Sequence, residues 1–248
     1  MGAGWELLWK DPKTRLERAD WLHRFCARAL KRLDVRVEVE GRFPAGDALI
    51  VNHCSYLDIV VLASIHPCVF VSKSEVSAMP VVGWMTTMSG TVYVERGRGG
   101  SALKAGRGVQ AAADDGLPVV FFPEGTTNTT RTLLKFHSGL IGQVMVEKMP
   151  IRAGYLRYYL DENNAAGVTV AEDVCWGTKP LLKHVFELLG LRGLRAEVRF
   201  AEEPIAFSAA AVNRKIAAEE ARAAVAELGE RSGVGVEADA GLLAQELH

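Results

Sequence analysis

The chain predicts a single-domain α/β fold: a mostly parallel mixed sheet flanked by helices and preceded by an amphipathic N-terminal helix. Three observations carry that prediction. Short apolar runs of buried-strand length alternate with stretches of helical periodicity, the order that builds parallel sheets. The 248 residues suffice for one good core and are few enough for one domain. Apolar residues make up 49% and charged residues 24%, the composition of a folded globular protein.

Residues 14–33 form the first helix. Leu22, Phe25, Cys26, Ala29, Leu30 and Leu33 share one stripe, and Arg24, Arg28 and Lys31 face away. Trp5, Trp9 and Trp21 favour lipid headgroup level, and basic residues outnumber acidic ones between Lys10 and Arg36. The readings are an interfacial membrane anchor, or a helix packed on its own sheet with its charged face in water, and the same helix could do both at its two edges.

Strict alternation over 35–39 predicts a half-exposed strand near a sheet edge, ended by Gly41. Residues 48–51 are a buried strand. A helix follows Ser55 and stops before Pro67, 68–71 is a third strand leading to Lys73, and Pro80 opens a short apolar helix over 79–85. Residues 91–94 are a strand. The match to a dinucleotide loop from Gly97 to Ala102 is read as a flexible loop, because charged residues end the preceding strand and no acid closes a second one. Then come a helix over 101–113, a central strand at 119–122, a polar loop over 126–132 and a helix over 140–146. Strands at 151–158, 168–170 and 196–200 surround a helix at 179–189, and Ser208 is expected to cap a long helix reaching 228.

The net charge of −1 argues against a surface devoted to nucleic acid, and no nucleic-acid-binding motif is present. Cys26, Cys54, Cys68 and Cys175 show no C-x-x-C pair or metal-ligand spacing and read as free thiols in a reducing compartment. Glu6 and Asp11 interrupt any secretory signal, Glu6 occupies the position where myristoylation needs Ser or Thr, and no apolar run reaches spanning length. A peripheral protein without signal peptide or transmembrane span is the expectation.

Two stretches organise the chain: Asn52 to Asp58, after one buried strand, and Phe122 to Thr126, after another. Ligands gather at strand ends in open α/β sheets. His53 and Asp58 cannot meet on a continuous helix, since five positions turn it by about 140° and raise it about 7.5 Å. The backbone must bend at Cys54 or Ser55, with Asp58 in the first turn of the next helix. Plainer readings compete: Ser55 to Asp58 fits a capping box, His53 a packing residue, Glu124 a solvated loop charge.

Together the stretches resemble the 1-acylglycerol-3-phosphate (lysophospholipid) acyltransferases, marked by H-x4-D, G-x5-R and F-P-E-G-T blocks. Here these are His53 to Asp58, Gly90 to Arg96 and Phe122 to Thr126, in the family's order. Met149-Pro150-Ile151 matches a weaker fourth block, a proline opening an apolar strand. The resemblance spans about residues 35–204. It implies an amphipathic segment at 1–34 associated with membrane, an acyltransferase domain at 35–228 and a weakly ordered tail at 229–248.

The chemistry it implies is transfer of an acyl group from acyl-CoA or acyl carrier protein to the free hydroxyl of a lysophospholipid. A partly neutral imidazole at neutral pH can take the hydroxyl's proton. Asp58 would hold the tautomer of His53, as in Ser-His-Asp enzymes, with the substrate hydroxyl replacing the serine; consistently, no G-x-S-x-G elbow exists. By resemblance Arg96 and Phe122, Pro123, Glu124, Gly125 and Thr126 bind the acceptor, Arg96 on its phosphate, and Lys73 stands near the site. Alternatively Arg96 pairs with Glu95 or Glu75, and Lys73 is a solvated strand-end charge. No metal or cofactor is expected; the partners are the cytoplasmic membrane surface, the lysolipid and the acyl donor.

One departure stands out. Many relatives read F-P-E-G-T-R, and Thr127 occupies the arginine's place; Arg131 is the candidate replacement for a headgroup contact. Phosphatidic acid synthesis from 1-acylglycerol-3-phosphate remains the first reading, with lyso-ornithine lipid or another lysolipid as the alternative acceptor. His137 is either a headgroup contact or a packing residue. A thioester hydrolase and a non-catalytic lipid-binding protein are the other classes in play.

Overall fold

The computed structural model describes residues 14–78, 83, 86, 89–94, 101–129 and 132–231. The expected helix at 79–85, the glycine stretch at 97–100, Arg96, Arg131 and the tail beyond 231 lie outside the described residues.

Helix α1 (Arg15–Arg32) begins with a capping box in which Thr14 accepts from the Glu17 amide and Glu17 reaches back to the Thr14 amide. Strands β1 (Arg36–Glu40), β2 (Ala48–Ile50), β3 (Val69–Lys73), β4 (Val92–Val94), β5 (Val119–Phe121), β6 (Ile151–Tyr159) and β7 (Arg195–Phe200) form one sheet. Helices α2 (Leu57–Ile65), α3 (Ser101–Asp114), α4 (Ser138–Val146), α5 (Leu181–Leu189) and α6 (Arg214–Glu230) cover it.

The strand order is β1-β7-β6-β2-β5-β3-β4, and every pairing is parallel except β6 with β7. The mixed, mostly parallel sheet is therefore as expected, with β1 at the edge that its alternation predicts. β1 and β7 run against all the other strands. The carboxyl ends of β2, β3, β4, β5 and β6 consequently share one rim.

The strands have period-two burial. Leu49, Val120, Leu156 and Tyr158 pack with α1 and α2, while Ile50, Val119, Phe121 and Tyr155 pack with α3, α4 and α6. The result is three layers. In the first, Trp21, Leu22, Cys26 and Leu30 of α1 are buried, and His23 Nδ1 meets the Ala63 carbonyl of α2 at 2.9 Å. The buried stripe of α1 therefore packs into the same core as the sheet and α2.

Two local expectations change. Residues 168–170 are not a strand: Thr169 caps a π-helical turn at Val170–Val174, accepting from the Glu172 amide. Val168 and Val170 around Thr169 suggest a strand, but Thr169 turns the chain as a cap instead. Ser208 precedes only a 3-10 turn, Ala209–Val212, and Asn213 caps α6 by accepting from the Lys215 amide. Among the described residues no helix is long and apolar enough to cross a membrane.

Candidate active site

Asn52 ends β2 by imitating a strand. Its side-chain amide donates to the Leu156 carbonyl (2.8 Å) and accepts from the Leu156 amide (2.7 Å), so β6 stays paired where the main chain leaves the ladder. The chain bends immediately afterwards. His53 Nδ1 lies 2.8 Å from Asp58 Oδ2, and that oxygen also accepts from the Cys54 amide (2.8 Å) and the Ser55 amide (3.0 Å). The expected bend at residues 54–55 is what closes the pair. Half of the capping box is real, since Asp58 takes the Ser55 amide, but the Ser55 hydroxyl turns to the Leu57 amide instead.

Asp58 has no solvent exposure, and a buried carboxylate needs donors on both oxygens. Its Oδ1 accepts from the Tyr158 hydroxyl at 2.9 Å, with the Cys54 thiol at 3.6 Å. Burial first, and then the negative charge of Asp58, push the Tyr158 phenol well above its ordinary pKa, so it stays a donor. The Cys54 thiol is also held well above the usual range, first by its hydrogen bond with Cys175 and then by burial. It remains a thiol and is not a nucleophile beside the imidazole.

The second block wraps the first from the neighbouring strand. The Phe122 ring stacks on the His53 ring, with centroids 4.0 Å apart and planes 15° from parallel. Glu124 is buried: Oε1 accepts from the His53 amide and Oε2 from the Leu134 amide, both at 2.8 Å. Desolvation raises its pKa although both amides pull it down. Glu124 is not a solvated charge; it clamps the backbone of His53 to the 132–134 loop. Gly125 turns the chain with φ +66°, a left-handed conformation that disfavours a side chain, and its amide donates to the Phe122 carbonyl. Pro123 is buried, while Thr126 faces solvent. The Asn128 amide closes the ring on the His53 carbonyl at 2.9 Å.

Lys73 ends β3 and Val94 ends β4, so these two strand ends belong to the rim that carries His53. Arg96 and Arg131 themselves lie outside the described residues. Pro150 sits at the opposite end, its carbonyl accepting from the Ala48 amide at 3.0 Å, so the fourth block starts β6 and does not line the site. His137 is exposed at the start of α4, and its amide donates to the Pro123 carbonyl; it is not a packing residue.

Sequence reasoning missed the outer supports. Tyr56 donates to His184 Nδ1 (2.9 Å), and His184 Nε2 donates to the Cys175 carbonyl (3.2 Å). The Trp176 amide donates to the Cys54 carbonyl at 2.7 Å. Burial pushes Tyr56 up to about 12 and lowers His184, so both stay neutral partners. Nothing local in the sequence joins these residues, which come from separate elements.

A partly exposed imidazole is thus held through Nδ1 by a fully buried carboxylate at the carboxyl rim of the sheet. The family model named Acyltransferase matches residues 34–153, and the chain belongs to this acyltransferase family. It is 33% identical over 202 residues to the lyso-ornithine lipid O-acyltransferase of Pseudomonas aeruginosa, covering 77% of this chain and 74% of that protein. Against the 1-acyl-sn-glycerol-3-phosphate acyltransferase of Neisseria gonorrhoeae it is 34% identical over 135 residues, 53% of this chain and 52% of the other. The fold is that of the 1-acyl-sn-glycerophosphate acyltransferase PlsC from Thermotoga maritima (TM-score 0.59, 20% identity, 92% of this chain and 89% of that one).

Proposed function

We propose that this acyltransferase esterifies the free hydroxyl of a lysolipid with the acyl group of a thioester, acyl-CoA or acyl carrier protein, at a membrane surface. The observation that carries the reading is the 2.8 Å contact between His53 Nδ1 and a carboxylate with no access to water. That contact fixes the proton on Nδ1 and leaves Nε2 to receive the proton of the acceptor hydroxyl. The hydroxyl oxygen adds to the thioester carbonyl, and the C–S bond then breaks. The imidazolium returns the proton to the departing thiolate, releasing an ester and a free thiol.

Two observations favour lyso-ornithine lipid as acceptor over 1-acylglycerol-3-phosphate. The relatives from Pseudomonas aeruginosa and Brucella abortus that the chain covers to about three quarters carry that activity in their names. Thr127 also replaces the arginine that would add a phosphate contact beside Thr126.

The membrane face is not α1 on this reading. Helix α5 turns His184 and Leu188 inward and exposes Leu182 (72%), Phe186 (75%) and Leu189 (50%) as a stripe at helical spacing. An apolar stripe on a helix that also supports Tyr56 would hold the site against lipid.

Thioester consumption with a panel of lysolipids tests the reaction. Turnover is expected with lyso-ornithine lipid above 1-acylglycerol-3-phosphate, and His53→Ala should lower it by roughly 10²–10⁴-fold. Wild-type turnover in His53→Ala would remove the proton-transfer reading.

A further inference from the structure

The proton transfer makes no use of a cavity of about 550 Å³ between the 132–138 segment and the first half of α6. Its walls include Lys135, His137, Lys215 and Arg222, and Glu219 is the one acid among the described lining residues. Lys215, Glu219 and Arg222 share a helical face at i, i+4 and i+7. Arg222 is fixed there, since its Nη2 donates to the Leu133 carbonyl (2.7 Å) and its Nε to the Leu134 carbonyl (3.0 Å). Lys135 and Lys215 are exposed at the mouth. Helix α4 opens on the same wall, at Ser138, without a side-chain cap on its amides. Three permanent cations, an uncapped amino end and one acid make the interior attractive to an anion.

The position matters as much as the charge. Leu134 and His137 donate their amides to Glu124 and to the Pro123 carbonyl, and Glu124 holds the amide of His53. The cavity is therefore one hydrogen-bonded step from the clamp on the imidazole. Its size falls within the roughly 300–1,000 Å³ of small-molecule pockets, too large for bare phosphate and suited to a phosphate on an organic body.

We propose that this cavity binds the phosphate ester of one of the two reactants, seated between Lys135, Lys215 and Arg222. The choice of reactant rests on the acyl-transfer reading; the binding itself does not. Two sources share the chemistry: the phosphorylated carrier end of the thioester donor, which is compatible with an ornithine-lipid acceptor, and the phosphate headgroup of 1-acylglycerol-3-phosphate, which would make that lysolipid the acceptor instead.

Isothermal titration of the full chain with adenosine bisphosphate and, separately, with glycerol phosphate tests the site. Wild type is expected to bind at least one probe. Lys135→Glu with Lys215→Glu should weaken that binding tenfold or more, while Lys183→Glu on α5 leaves it unchanged. Lys215→Ala serves should the double reversal not fold, with a smaller loss in the same direction. A response to adenosine bisphosphate assigns the cavity to the donor, and one to glycerol phosphate assigns it to a headgroup. Failure of wild type to bind either probe, wild-type affinity in the lysine variants, or an equal loss in Lys183→Glu would overturn the proposal. His53→Ala should bind the probe as wild type does while losing turnover. Retained turnover there would sink the catalytic reading and leave the cavity standing.

Discussion

Replacing Tyr158 by phenylalanine removes one hydroxyl and nearly nothing else, and that oxygen is the only strong donor to Asp58 Oδ1 among the described residues. Oδ2 keeps its three partners at 2.8, 2.8 and 3.0 Å, while Oδ1 is left with the Cys54 thiol at 3.6 Å. Asp58 has no solvent exposure, so no bulk water takes the hydroxyl's place. A hydrogen bond to a charged group contributes about 1.5–3 kcal/mol. For a domain of this size such a loss lowers Tm by roughly 3–12 °C. Asp58 would also be freer to turn, loosening its hold on the His53 ring, and kcat should fall about tenfold, equal to about 1.4 kcal/mol of transition-state stabilisation. Differential scanning calorimetry and thioester turnover measure the two effects separately. A variant with wild-type Tm and wild-type kcat would refute the view that Tyr158 secures the carboxylate.

Two further outcomes are expected. Leu182→Glu with Phe186→Glu alters only solvent-facing positions of α5, so Tm should hold while co-sedimentation with anionic vesicles falls severalfold; unchanged co-sedimentation would place the lipid contact elsewhere. His184 has a pKa lowered from 6.5 by burial, so the unfolded chain protonates first as pH falls. Stability should therefore be full above the ordinary histidine value and decline as pH drops below about 6.5. His184→Gln should flatten this decline in Tm measured from pH 7.5 to 5, and a parallel decline in the variant would assign it to other groups.

The rim chemistry was legible because its signals are short and local. A buried strand followed by His53, a forced bend and an acid in the next helix turn can be written down from spacing alone. The second block was legible as a site but not in its division of labour. Nothing in Phe-Pro-Glu-Gly-Thr says that the aromatic ring stacks on the imidazole or that the carboxylate is consumed by main-chain amides. Tyr158 was hidden for another reason. Its meeting with Asp58 depends on which face of β6 it points from, and that phase is set by the sheet order rather than by neighbouring residues. Helix α1 shows a third limit. A stripe of Trp21, Leu22, Cys26 and Leu30 satisfies a bilayer and a protein core by the same hydrocarbon contact, so only packing against α2 separates the two.

The reversed pair β1 and β7 carries a practical corollary. Since those strands deliver their carboxyl ends to the far side of the sheet, the short connections at 41–47 and 115–118 emerge together at the end away from the imidazole, where the Val119 amide donates to the Asp47 carbonyl at 3.1 Å. A fluorophore or affinity handle grafted at 115–116 would stand a full strand length from the imidazole. Such a graft offers a way to fix the enzyme to a support with its working edge left free.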